Sequence, residues 1–127
     1  MKIAIDACSI ILLAKATVLE TFAHEHSLLI TKEIYKEILE GKDKKFIDAL
    51  LTERLVKEKE IGVIKAANKR LVKKLIKDLN LGIGEAGALS LAIDNQCEAI
   101  ATDNKQGRKA AAIYGLNLIG SIEVIAA

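Results

Sequence analysis

The chain has 127 residues, enough for one hydrophobic core but not two. Hydrophobic residues make up 51% and aromatic ones only 3%, so the core is aliphatic and a base-stacking platform for nucleic acid is disfavoured. The net charge of +2 leaves any nucleic-acid binding to local basic patches, and no apolar run is long enough to span a bilayer.

Lys2 to Ile5 is a short apolar run that stops at Asp6, the pattern of a buried strand presenting an acid at its C-terminal end. Ser9 to Phe22 carries Ile10, Leu13, Ala14, Val18 and Phe22 at helical spacing. Ser27 to Ile30 is a second short strand. Thr31 caps an amphipathic helix through Ile34, Ile38 and Leu39, which Gly41 ends. Lys44 to Leu51 reads as a short helix, and Leu55 to Lys59 alternates weakly, as an edge strand does.

Val63 to Leu79 gives the clearest helical pattern, with Ile64, Ala67, Leu71, Leu75 and Leu79 on one face. Lys65, Lys69, Lys73 and Lys77 form a separate stripe, either a track for phosphates or a solvated face. Leu81 to Gly84 is a turn, and Glu85 to Ile93 an Ala-rich helix able to pack closely on a sheet. Glu98 to Thr102 is a strand ending at Asp103. Lys105 to Tyr114 is a helix ended by Gly115, Leu116 to Ile119 the last strand, and Ser121 to Ala127 a tail helix. No repeat or linker interrupts this order, so one domain over residues 1–127 is expected.

Cys8 and Cys97 form no CxxC pair and stand beside no histidine, which argues against a zinc site. Two reduced thiols fit a reducing, cytoplasmic setting. Met1 runs into Asp6 too early for the charged and apolar regions of a signal peptide. The lack of proline and the abundance of Lys and Glu resemble thermophile composition.

Strands alternating with helices imply an α/β fold with a parallel sheet, whose ligands bind at the carboxyl ends of the strands. Asp6 and Asp103 then share one crevice if their strands are neighbours. Glu85 lies in the first turn of its helix, and Glu37 on the helix after the second strand. Clustered acids repel one another unless a cation joins them, and hard divalent cations take oxygen ligands. Each acid also has a structural reading. Asp6 and Asp103 can cap the following helices, Glu85 can complement a helix dipole, and Glu37 can be a solvated helix residue.

The order of these acids carries a resemblance. Lys2-Ile3-Ala4-Ile5-Asp6-Ala7-Cys8-Ser9 resembles the opening of a PIN domain. Ile30 to Ile38, containing Glu37, is similar to its second motif, and Leu81 to Ala92, containing Glu85, to its third. Ala101-Thr102-Asp103-Asn104-Lys105-Gln106-Gly107-Arg108 resembles its fourth, and Gly115 to Ser121 its ending. The resemblance implies a three-layer α/β/α sandwich with a central parallel sheet. It also implies a magnesium or manganese ion on Asp6, Glu37, Glu85 and Asp103, and hydrolysis of RNA phosphodiesters. Many small members are toxins neutralised by an antitoxin protein, and such members are commonly homodimers.

Three positions depart from that pattern. Cys8 stands where a hydroxyl or amide residue is common, with Ser9 next to it. Asn104 replaces a second Asp, and Gly87 stands where close relatives often carry an additional acid. Cys8, Ser9 and Asn104 are the supporting candidates. Lys32, Lys36, Lys105, Arg108 and Lys109 flank the acidic motifs and are candidates for RNA phosphates.

The main rival is a catalytically weak PIN-like module that binds RNA or a protein. A phosphoacceptor domain needs a second acid beside the first strand-end Asp, which Asp6-Ala7-Cys8-Ser9 lacks. Gly82-Ile83-Gly84-Glu85-Ala86-Gly87 begins like a dinucleotide fingerprint, but it follows no strand and contains a charged Glu.

Overall fold

The computed structural model describes residues 1–43, 47–65 and 68–126. Its five strands are β1 (Lys2–Ile5), β2 (Ser27–Thr31), β3 (Ile61–Ile64), β4 (Ala99–Ala101) and β5 (Asn117–Ile119). All pair in parallel, in the order β3-β2-β1-β4-β5. The helices are α1 (Ala7–Lys15), α2 (Leu19–Glu25), α3 (Lys32–Asp43), α4 (Ile47–Lys57), α5 (Lys69–Leu79), α6 (Ile83–Asp94), α7 (Lys105–Ile113) and α8 (Ser121–Ala126).

β1 is central, which explains its unbroken apolar run: Ile3, Ala4 and Ile5 are fully buried. Ile3 and Ile5 belong to the main core cluster, and Ala4 to a second cluster with Leu91, Ala92 and Cys97. The strand thus feeds two layers through the two-residue period of its side chains. α1 packs on α2, α3, α4 and α8, whereas α6 packs on α5, α7 and strands β1, β2 and β4. This is the expected α/β/α layering. The small side chains Ala86, Ala88 and Ala92 are fully buried and let α6 lie close to the sheet. No single helix among the described residues is long and apolar enough to cross a membrane.

Several boundaries differ from those read from sequence. The stretch expected as one helix from Ser9 to Phe22 is two, α1 and α2, bent by 118°. Thr17 between them adopts φ +62, a left-handed value that no helix interior accommodates. Gly41 does not end its helix, which continues to Asp43. Leu55 to Lys57 is the end of α4 rather than an edge strand, and the edge strand is β3 at Ile61–Ile64. Val63 and Ile64 are therefore strand residues, and the Lys-rich helix begins only at Lys69, capped by the Asn68 side chain. Ala67 and the start of the helix expected at Lys44 lie outside the described residues. Gly115 does end α7, at φ +69.

Candidate functional site

The strand order reverses its direction of growth between β1 and β4, the position where open parallel sheets leave a crevice. Asp6 follows β1 directly. Thr102 and Asp103 follow β4, and Ile5 is in register with Ala101. Adjacency of the two strands thus brings both strand-end acids to one edge.

Asp6 is 8% exposed and carries two reciprocal duties. Its Oδ1 accepts the Ser9 amide hydrogen at 2.8 Å and caps α1, while Oδ2 accepts the Thr102 hydroxyl at 2.7 Å. The capping role considered for this residue is real, and it fixes the orientation of the carboxylate. Ser9 supports Asp6 through its backbone. Its hydroxyl is fully buried and makes no hydrogen bond among the described residues.

Asp103 turns the other way. Its Oδ1 accepts the Ser121 amide hydrogen at 2.8 Å, at the start of α8. Asn104 caps α7 by accepting from the Gln106 and Gly107 amides at 2.8 and 3.1 Å. Its side-chain amide donates to Glu85 Oε1 at 3.0 Å. Glu85 sits in the first turn of α6 and folds back over Gly82, where a Cβ would collide with Glu85 Oε2. The glycine before the helix is thus what leaves room for that carboxylate.

Asp6, Glu37 and Glu85 line one cavity of ≈660 Å³ together with Cys8, Thr31 and Glu33. Thr31 accepts the Ile34 amide hydrogen at 3.0 Å, the expected cap, and so aims the first turns of α3 at this cavity. Glu33 and Glu37 share a face of α3 by their four-residue spacing. That spacing was the available signal for Glu33, which the motif reading passed over. Asp103 is not among the lining residues, but its charge still reaches Cys8. Burial raises the Cys8 thiol pKa above its ordinary value, and the charges of Asp6, Glu37, Glu85 and Asp103 raise it further.

Among the described residues none of the four acids makes an ion pair. Their oxygen donors suit a hard divalent cation, and such a charge excess favours one. The residues fit the ion in chemistry but not yet in position. Among the described residues, no three His, Cys, Asp or Glu side chains stand close enough to hold a metal. Asp6, Glu85 and Asp103 are each held by protein donors.

The flanking cations divide. Lys32, Lys36, Lys105, Arg108 and Lys109 are exposed on α3 and α7 and do not line the cavity. Lys69 and Lys73 of α5 do. Two members of the lysine stripe thus face the acids, while Lys65 lies before the helix.

A PIN-domain family model (DUF3368) matches residues 2–127. The chain belongs to the PIN-domain family. Members of this family are in general nucleases and use divalent metal ions. Among solved structures, a PilT N-terminus domain protein from the hyperthermophilic archaeon Sulfolobus solfataricus P2 is similar, with a TM-score of 0.62 and 18% identity. The match covers 99% of this chain and 92% of that one. It supports the PIN-like fold assigned here. No curated protein sequence matches the chain significantly.

Proposed function

We propose that this PIN domain is an endoribonuclease dependent on magnesium or manganese. The observation that carries this reading is the placement of Asp6, Glu37 and Glu85 in one cavity at the switch point of the sheet, with Asp103 following the neighbouring strand β4. Asp6, Glu37, Glu85 and Asp103 would hold the ion, which when bound supplies activation of water and neutralisation of phosphate charge. Thr102 holds the Asp6 carboxylate in one orientation, and Asn104 holds Glu85 at the mouth of α6. Lys69 and Lys73 offer positive charge to the phosphates of a strand entering the cavity.

The test is cleavage of unstructured RNA in manganese by the wild type, Asp6→Asn and Asp103→Asn. Loss of activity by about 10² or more in both variants is expected, the range over which removing key charge-stabilising groups acts. Equal activity in all three would defeat the reading. Metal binding without cleavage would favour a second one, a catalytically weak module that binds RNA or protein. The commitment of Asn104 to a helix cap and to Glu85 favours that alternative. A toxin role, with an antitoxin partner and a homodimeric state, extends the first reading on family resemblance. A short DNA-binding antitoxin gene beside this one would support it.

A further inference from the structure

The cavity lined by the acids is lined by aliphatic side chains as well. Ile34 of α3, Val72 and Ile76 of α5 and Ile83 of α6 line it. Ile83 is 79% exposed, a large aliphatic side chain held in water at the start of a helix. Val72 and Ile76 are four residues apart on α5, as are Lys69 and Lys73, and all four line the same cavity. One helix face therefore presents an apolar strip and two ammonium groups side by side. Among the described residues neither lysine makes an ion pair, although Glu33, Glu37 and Glu85 line the same space.

The occupant that fits must be apolar in one part and anionic in the next. The volume of ≈660 Å³ falls within the range of small-ligand sites. With the acids engaged by a cation, a purely apolar ligand would leave the lysines without a counter-charge. A bare phosphate would leave the aliphatic strip in water. One unstacked nucleotide satisfies both, with its base against the isoleucines and its phosphate on the lysines. A duplex does not, because its bases are already stacked and paired.

We infer that this cavity contains a nucleotide subsite: Val72, Ile76 and Ile83, over the buried Ile34, hold one unstacked base of single-stranded RNA, and Lys69 and Lys73 hold an adjoining phosphate. The inference rests on the ribonuclease reading for the identity of the strand. The contact is aliphatic rather than aromatic, so it selects single strands over duplexes and larger bases over smaller ones, with little reading of base edges.

The test uses the full chain with ¹³C-labelled isoleucine methyl groups, in calcium without magnesium or manganese. Two probes are titrated: an adenylate RNA trimer, and a trimer of the same ribose-phosphate backbone without bases. The RNA trimer should shift the methyl signals of Ile34, Ile76 and Ile83 and leave exposed Ile47 and Ile113 unmoved. The abasic trimer should bind at least fivefold more weakly and leave all five unmoved. A Lys69→Ala/Lys73→Ala double variant should weaken the RNA trimer at least fivefold. Equal binding of the two trimers, shifts confined to Ile47 or Ile113, or no binding of the RNA trimer at millimolar concentration would overturn the subsite. Because the readout is binding, the two readings separate. A bound base without manganese-dependent cleavage removes the nuclease and keeps the subsite, and cleavage with equal trimer binding does the reverse.

Discussion

The Asn104 side-chain amide donates to Glu85 Oε1 at 3.0 Å, so the cap of α7 also holds the carboxylate in the first turn of α6. An aspartate at the same position could still cap the helix through an oxygen, but it could not donate to Glu85.

Asn104→Asp therefore separates the two duties. The cap survives, the hydrogen bond is lost and a like charge is set against Glu85. The pair is exposed, so the expected loss of stability without metal is below about 1 kcal/mol. Manganese affinity should rise severalfold, since the added carboxylate is a better ligand for a hard cation. Urea unfolding with and without manganese, alongside calorimetric titration, reads both effects. Unchanged metal affinity would place residue 104 outside the ligand set.

Thr102 is the only protein donor described on Asp6 Oδ2, at 2.7 Å in buried surroundings, and it also accepts the Asn104 amide hydrogen at 3.2 Å. Thr102→Val keeps the shape and removes the hydroxyl. The expected cost is about 1.5–3 kcal/mol, the range for hydrogen bonds to charged groups, with Thr102→Ser recovering most of it. Chemical denaturation at neutral pH measures this directly.

Two helical glycines should respond to alanine in opposite directions. At Gly87 the nearest atom to an added Cβ is Thr31 Cγ2 at 3.9 Å, an ordinary contact. Gly87→Ala should stabilise the protein by about 0.5–1 kcal/mol through helix propensity. At Gly107 an added Cβ would meet Thr102 Cγ2 at 3.1 Å and Oγ1 at 3.3 Å. Thr102 is held by its hydrogen bonds and cannot retreat, so Gly107→Ala should destabilise by about 1 kcal/mol. Thermal melts of the pair decide the matter, and stabilisation by Gly107→Ala would show that Thr102 gives way.

Cys97 offers a pH test away from the acids. Burial pushes its thiol pKa up, with Lys2 opposing. A raised folded-state pKa means that the native state holds its proton to higher pH than the unfolded chain. The associated stability is fully present below the unfolded thiol value, near 9.0, and is lost as pH rises through the folded one. Unfolding free energy should therefore fall above about pH 9, and Cys97→Ala should flatten that fall. An identical slope in wild type and variant would rule out this thiol as the cause.

Cys8 serves as a built-in probe of the acidic field. It is exposed, yet its thiolate is disfavoured by partial burial and by all four acids. Its alkylation by iodoacetamide at pH 8 should be slower than that of a free thiol, because the thiolate is the reactive form. Glu37→Gln should speed it severalfold, and so should added manganese if the ion sits among the acids. A rate indifferent to both would mean that the acids and the thiol do not share one field.

The features that sequence alone determined are those set by local chemistry. An apolar run cut by an acid, as at Ile5-Asp6 and Ala101-Thr102-Asp103, marks a strand end whatever surrounds it. Thr31 before an amphipathic stretch marks a cap, and Gly115 a left-handed helix end. These signals were enough for the alternating α/β order and for the strand-end acids.

Tertiary structure decided the rest. Ile61 to Ile64 is a strand because it pairs with β2, from Leu28 to Thr31, and four apolar residues beside a lysine-rich helix carry no period that announces such a partner. A helix expected from Val63 carries the lysine stripe back to Lys65 and conceals which of its members reach the cavity. Only the packing of α5 against α6 brings Lys69 and Lys73 to the cavity. Only the pairing of β1 with β4 brings Asp6 under the Thr102 hydroxyl. A side chain's type is written in the sequence, but its partner lies 96 positions away and is chosen by the sheet.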